Sequence, residues 1–287
     1  MHEGYACAMS THAPLPMPRM LYGTAWKEQR TAACVQLALE VGFRGIDTAC
    51  QPKHYHEPGV GEGIAAFLCS PAANGCKRED LYLQTKFTSR DGQDPKRLPY
   101  DPRSPLPAQV EQSIDTSLRN LRVDYLDCVV LHSPLADIQS TLTVWRTLEE
   151  ACQQGRVKTL GISNCYEPAL FKQLCSRATI QPSVLQNRFY DKTRYDRELR
   201  AICRERQVTY QSFWTLTANR HVLADRVLTA LSAKHRCTPA QVFFRYLSYE
   251  GIVPLTGTQS RDHMREDLAC FDLVLSEAER AEITALL

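Results

Sequence analysis

No apolar run in this chain reaches the length that crosses a bilayer, roughly 20 residues, and the N-terminus lacks the apolar core of a secretory signal. Neither sign of charge dominates. The 34 Lys and Arg face 32 Asp and Glu, the formal net charge is +2, and no long basic stripe breaks the mixture. A membrane span and an obligate nucleic-acid partner are therefore not expected. The 12 cysteines are scattered, with no C-x-x-C or other metal-type spacing. They read as reduced, mostly buried thiols of a cytoplasmic protein. Cys50, close to Asp47, has a competing reading as a redox-sensitive thiol. Gly59-Val60-Gly61-Glu62-Gly63 lacks the G-x-G-x-x-G spacing and does not directly follow a strand, so it reads as a helix start rather than a phosphate loop. His54-Tyr55-His56-Glu57 brings no third well-placed ligand, and no metal is expected.

What is present is a chain of 287 residues and 32.5 kDa, 44% hydrophobic, enough for one large α/β domain. That is close to the usual size of an eight-fold barrel, about 250 residues. Residues 1–18 are small, polar and proline-containing and read as an N-terminal lead-in; a single domain is expected over 19–287. Strand signals fall at 19–23, 44–48, 81–86, 125–131, 157–162, 183–187, 208–213 and 252–255. Helical signals fall at 29–41, 59–69, 107–120, 138–154, 167–176, 194–206, 224–249 (interrupted), 261–269 and 276–286. Strands alternating with helices predict an eight-stranded parallel (β/α)8 TIM barrel.

Local signals support the boundaries. Val110, Ile114, Ser117, Leu118 and Leu121 share one helical face. Thr238-Pro239 reads as an N-cap followed by proline at the first helical position, Ser276 with Glu279 as a capping box, and Gly155 as a left-handed helix stop. Phe243, Phe244 and Tyr246 lie at helical spacing and read as core. The connection 87–106, with four prolines, is long for a compact domain. It follows the strand ending at Lys86, so it reads either as a substrate-lining loop or as a surface insertion.

Four residues carry the chemistry. Asp47, Lys86 and His132 close apolar runs, and Tyr55 lies just beyond one. In a parallel barrel all strand C-terminal ends open onto one face, where catalysis occurs. A phenol, with a pKa near 10, is a weak acid at neutral pH. A lysine ammonium beside it favours the phenolate and lowers that pKa, and a carboxylate holds the lysine charged. A histidine supplies a second hydrogen bond to the same substrate oxygen. The set suits protonation of an oxygen that becomes negative, and a reduced nicotinamide is the natural electron donor. Singly, each residue also reads as a cap, a loop anchor or a satisfied buried group; their joint placement favours the chemical reading.

Gly45-Ile46-Asp47-Thr48-Ala49, Leu83-Gln84-Thr85-Lys86, Leu131-His132-Ser133-Pro134, Gly161-Ile162-Ser163-Asn164, Gln181 through Asn187, and Ile252-Val253-Pro254-Leu255-Thr256-Gly257 stand in the order of a known family. On these segments the chain resembles the aldo-keto reductases from about residue 19 onward. The resemblance implies the barrel fold and hydride transfer between NADP(H) and an aldehyde or ketone. It implies Tyr55 as general acid, tuned by Lys86 and Asp47, with His132 orienting the carbonyl. Ser163, Asn164 and Gln186 would hold the nicotinamide carboxamide. Phe213 would stack on the ring, with Trp214 as the alternative. The backbone of Trp214, Thr215, Leu216 and Thr217 would pass near the pyrophosphate. Thr24 and Ala25 would lie under the nicotinamide, and Trp26 beside the substrate. Asp267 joins the implied cofactor contacts.

The chain departs from that pattern in four places. Tyr55 follows Asp47 by eight positions, more than usual, and counting back from Glu57 places His54 where tyrosine is common. Leu255 stands where many members carry a lysine for the 2′-phosphate of NADPH, leaving Thr256, Thr258, Arg261 and His263 as candidate phosphate ligands, with Gly257 among the implied cofactor contacts. NADP(H) is favoured, with NAD(H) as the alternative. The chain stops at Leu287 without the tail that often lines the pocket, which implies an open site. Residues 1–18 show no clear hairpin of the kind that often closes the far end. A small-molecule carbonyl or alcohol is the expected partner, and a monomer the expected state. A different outcome, also found among relatives, is a cofactor-binding regulatory module with little turnover.

Overall fold

The computed structural model describes residues 15–287. Most of the lead-in, and with it the question of an N-terminal hairpin, lies outside the described residues. Eight parallel strands close into a barrel in sequence order, each paired with the next and the last with the first. They are β1 (Leu21–Gly23), β2 (Gly45–Asp47), β3 (Tyr82–Phe87), β4 (Leu126–Leu131), β5 (Val157–Ser163), β6 (Val184–Arg188), β7 (Thr209–Phe213) and β8 (Ile252–Thr256). The helices are α1 (Thr31–Val41), α2 (Glu57–Leu68), α3 (Leu106–Leu121), α4 (Ile138–Gln153), α5 (Pro168–Arg177), α6 (Arg197–Glu205), α7 (Arg220–Leu223), α8 (Arg226–His235), α9 (Pro239–Tyr249), α10 (Arg261–Ala269) and α11 (Glu277–Thr284).

The expected interruption of 224–249 falls at the α8–α9 junction. Arg236 turns left-handed at φ 53°, and Thr238 Oγ1 then accepts from Gln241 N at 3.2 Å to start α9. Ser276 and Glu279 form the reciprocal box that starts α11. Gly155 takes φ 75° just past α4. The glycine-rich run lies inside α2. A Cβ on Gly61 would sit 2.3 Å from the Asn120 carbonyl oxygen, so glycine there permits close approach of α2 to the end of α3.

β3 and β4 are buried along their whole length, as strands covered on both faces require. Alternate residues point out to the helices or into the barrel. The outward set packs with the helices into the main core, including Val35, Val110, Trp145, Phe171 and Phe243. Burying each such side chain contributes about 1.5–3 kcal/mol. The inward set is layered. Leu21, Tyr82, Cys128, Val130 and Val184 form a separate apolar cluster, with Met17, Val253 and Leu255 packed on it. Two residues further along β3 and β6, the interior turns polar at Gln84 and Gln186. Two further still come Lys86 and Arg188, at the open C-terminal face.

Candidate active site

β2 and β3 pair Asp47 with Gln84, which sets Lys86 just above the carboxylate. The Lys86 ammonium, 1% exposed, donates to Asp47 Oδ2 at 2.6 Å, to Asp47 Oδ1 at 2.8 Å and to the Thr48 carbonyl at 2.8 Å. Asp47 Oδ1 also accepts from the amides of Gln84 at 2.7 Å and Gln186 at 3.0 Å. Both amides donate as well to Gln211 Oε1 at 2.8 Å. The charged pair thus sits in a ring of amides contributed by β3, β6 and β7.

Tyr55 lies in the loop between β2 and α2, where its backbone N–H donates to the Gln51 carbonyl at 3.0 Å. Its ring centroid is 5.3 Å from Lys86 Nζ, and its ring meets His132 edge-on at 6.1 Å. His54 packs against Trp26, their ring centroids 3.9 Å apart, and makes no contact of this kind with Lys86. Of the two residues that compete in the sequence for the phenol's position, the one facing Lys86 and His132 is therefore Tyr55.

Burial pushes the Tyr55 phenol above its ordinary pKa; Lys86 opposes that shift and Asp47 adds to it. The outcome differs from the lowered value expected beside a lysine, because desolvation of the phenolate outweighs the ammonium's attraction. Burial works to lower Lys86, and Asp47 and Tyr55 outweigh it, so its ammonium is held above the usual lysine value. Burial and the Lys86 charge bring His132 down to about 3, which makes its imidazole neutral near pH 7. Cys50 is buried, and burial followed by Glu57 raises its thiol well above the usual range, which disfavours the thiolate that a redox-sensitive thiol needs.

These groups open onto a cavity of about 820 Å³. It is lined by Ala25, Trp26, Asp47, Tyr55, His132, Ser163, Asn164, Gln186, Phe213, Trp214, Thr215, Leu216, Thr217, Thr256, Gly257, Thr258, His263 and Asp267. Three expected residues lie elsewhere. Thr24 is buried and donates its hydroxyl to the Asp47 carbonyl at 3.0 Å, tying β1 to β2. Lys86 sits behind Asp47 and Tyr55 rather than in the wall. Arg261, at the start of α10, pairs with Glu40 of α1 at 2.8 Å. That pair uses one nitrogen of a partly exposed guanidinium. The 87–106 connection does not line this cavity. Thr88, Ser89, Arg90, Asp91, Gly92 and Leu106 border a second cavity of about 580 Å³ that shares His132.

Arg188 was absent from the expected set. It lines the main cavity, and among the described lining residues it is the one lysine or arginine. Its guanidinium lies 4.3 Å from the Trp214 ring, and its Nε is buried without a hydrogen-bond partner among the described residues. The two-residue alternation along β6 from Gln186 contains that signal. Gly23, Gln51, His54, Thr238, Ala240, Phe244, Leu255 and Glu266 also reach the wall. Phe244 does so from within the core of α9, where periodicity alone marks it as packing. Trp26, Asn164 and Trp214 take φ of 61°, 50° and 55° on this wall. Left-handed backbone at bulky residues is strained and concentrates at functional sites.

The profile of the Aldo/keto reductase family matches residues 20–287. The chain belongs to that family. It is accordingly an NAD(P)H-dependent oxidoreductase of the aldo-keto reductase type. It is 28% identical to a methylglyoxal reductase of Yersinia pestis, over 94% of this chain and 89% of the relative. It is 29% identical to a glyoxal reductase of Bacillus subtilis, over 88% and 82%. Among solved structures it resembles an aldo-keto reductase of Bombyx mori in complex with NADP, with a TM-score of 0.78, 26% identity and coverage of 94% and 89%. A Brucella melitensis aldo/keto reductase gives a TM-score of 0.78 at 25% identity, covering 94% and 95%. No described helix of this aldo-keto reductase is long and apolar enough to cross a membrane.

Proposed function

We propose that this aldo-keto reductase reduces small aldehydes or ketones to alcohols with NADP(H), and that Tyr55 delivers the proton. The observation that carries the reading is the convergence of one phenol and one neutral imidazole on a single cavity wall, with a buried ion pair directly behind the phenol. When bound, the reduced nicotinamide supplies the hydride and its electron pair.

The donor set fits that cofactor. Both N–H bonds of Gln186 are used by Asp47 and Gln211, while its Oε1 keeps acceptor capacity suited to a carboxamide N–H. Ser163 and Asn164 flank it, and Phe213, paired in register with Arg188, offers an aromatic face. The buried Arg188 Nε suits an anionic oxygen of the dinucleotide. Thr258, His263 and the first turn of α10 are the groups for a 2′-phosphate; with Leu255 in place of a lysine, the preference over NAD(H) is modest.

In the reaction, the neutral His132 donates a hydrogen bond to the carbonyl oxygen and fixes its position. Tyr55, kept protonated by its burial, passes its proton to that oxygen as negative charge develops. Lys86 then stabilises the resulting phenolate, and Asp47 holds Lys86 charged and in place. Two exposed indoles, Trp26 and Trp214, stand on the rim as apolar contacts for substrate. The reactive aldehydes named for relatives, methylglyoxal and glyoxal, are the first substrates to assay.

The test is Tyr55→Phe. Turnover with methylglyoxal should fall by about two to four orders of magnitude while NADPH affinity in a fluorescence titration stays within about twofold. Unchanged turnover removes Tyr55 from the role and brings His54 forward.

A further inference from the structure

His132 meets the site through one ring edge, and an imidazole there helps only if its outward nitrogen carries the proton. We infer that Thr88, clamped by the 87–106 loop, is a positioning residue that fixes His132 as the Nε2–H tautomer. The inference rests on the proposed contact between His132 and the carbonyl oxygen.

The placement begins with strand register. β3 pairs Phe87 with Leu131 of β4, so Thr88 and His132 are the next residues beyond these neighbouring strands. The His132 backbone N–H donates to the Phe87 carbonyl at 2.9 Å, and Asn164 Nδ2 donates to the His132 carbonyl at 2.9 Å. With its backbone held from both sides, the ring brings Nδ1 to 2.6 Å from Thr88 Oγ1.

Proton accounting selects the tautomer. No other described group hydrogen-bonds to Thr88 Oγ1, and Thr88 is 4% exposed. If Nδ1 carried the proton and donated to Oγ1, the hydroxyl proton would have no acceptor among the described residues. If the hydroxyl donates to Nδ1, every proton is used and Nε2–H is left to face the cavity. The nitrogen that holds the proton is set by the hydrogen bond the other one makes. The neutral imidazole noted above makes the tautomer the operative variable.

The hydroxyl's direction is itself fixed by the long loop. The Thr88 carbonyl accepts from Tyr100 Oη at 2.8 Å and from Gln93 Nε2 at 3.3 Å. Gln93 Nε2 also donates to the Cys50 carbonyl at 2.8 Å, and Gln51 Nε2 to the Gly92 carbonyl at 2.7 Å, so the loop is strapped to the segment that carries Tyr55. A Cβ on Gly92 would lie 2.7 Å from Thr88 Cγ2. Glycine therefore lets the loop pack against the Thr88 methyl, which holds a β-branched side chain in one rotamer. The 87–106 connection thus acts on the reaction through Thr88.

The experiment is ¹⁵N–¹H correlation of the imidazoles in the whole protein, with His132 assigned by the signal lost in His132→Gln. Wild type should show a protonated Nε2 and an unprotonated Nδ1. Thr88→Val, of the same shape, should lose the single-tautomer signature and reduce kcat by about tenfold or more with NADPH affinity unchanged. Thr88→Ser should recover the signature and most of kcat, and Gly92→Ala should resemble Thr88→Val. A wild-type Nδ1–H tautomer overturns the inference, as does a Thr88→Val enzyme with wild-type signature and kcat. The wild-type spectrum decides even if Thr88→Val fails to fold. Full turnover in His132→Gln defeats the carbonyl-contact reading instead, whatever the tautomer.

Discussion

The two sides of the barrel's open face differ in how their charged side chains are held. On the side of β2, β3 and β4, polar groups hold one another: the three N–H bonds of Lys86 have three acceptors, Asp47 accepts from two amides as well, and His132 is fixed through Nδ1. Toward the rim of β6 and the segment after β7, the cation that lines the cavity has no such hold. Arg188 Nε is buried with no hydrogen-bond partner among the described residues, and Trp214, stacked on that guanidinium, is 48% exposed. The first side is preorganised, so its charges need no rearrangement as the reaction proceeds. The second keeps hydrogen-bonding capacity for a ligand, and its binding energy appears when that ligand arrives.

The comparison breaks most sharply at Lys86. Lys86→Met should destabilise the fold by about 3–5 kcal/mol in urea titration, because it leaves the Asp47 carboxylate buried without its counter-charge. A stability within about 1 kcal/mol of wild type would mean that the first side is not held by that pair. The next effect is acid sensitivity. His132 has a folded pKa of about 3, and an unfolded histidine titrates near 6.5. Between these values the unfolded chain binds a proton that the folded chain refuses. The His132 contribution is therefore intact above pH 6.5 and lost as pH falls toward 3, by at most about 1.4 kcal/mol per unit. His132→Gln should flatten this part of the urea stability profile, and an unchanged profile would show that another group governs acid unfolding. The smallest effect belongs to the second side. Arg188→Met should raise the NADPH Kd about tenfold, roughly 1.4 kcal/mol, and leave stability without cofactor near wild type. A large stability loss with unchanged Kd would move Arg188 from the binding side to the structural one.

Parts of this design are legible along the chain. Asp47, Lys86 and His132 each end an apolar run, and a strand buried on both faces writes itself as such a run. That is why the barrel and three of its site residues can be read in order. The spacing from Asp47 to Tyr55 does not say which way the loop turns, and His54 and Tyr55 remain equivalent in sequence. The Trp26 contact with His54 separates them, and it depends on a residue nearly thirty positions upstream. Arg261 carries the right charge next to a helix start, and only the fold shows that it lies within reach of Glu40 on a distant helix. Thr88 follows Lys86 by two positions and looks like any loop threonine until the register of β3 on β4 sets it beside His132.

The sequence by itself determined the alternation of strands and helices, the barrel they form, and the residue types delivered to its C-terminal rim. Those follow from local burial patterns and from chain order. Only the tertiary structure decided the direction of the phenol's pKa, the partner of Arg261, the unpaired nitrogen of Arg188 and the geometry between Thr88 and His132. Each of these depends on desolvation or on contacts between segments far apart in the chain, and neither quantity is defined until the barrel closes.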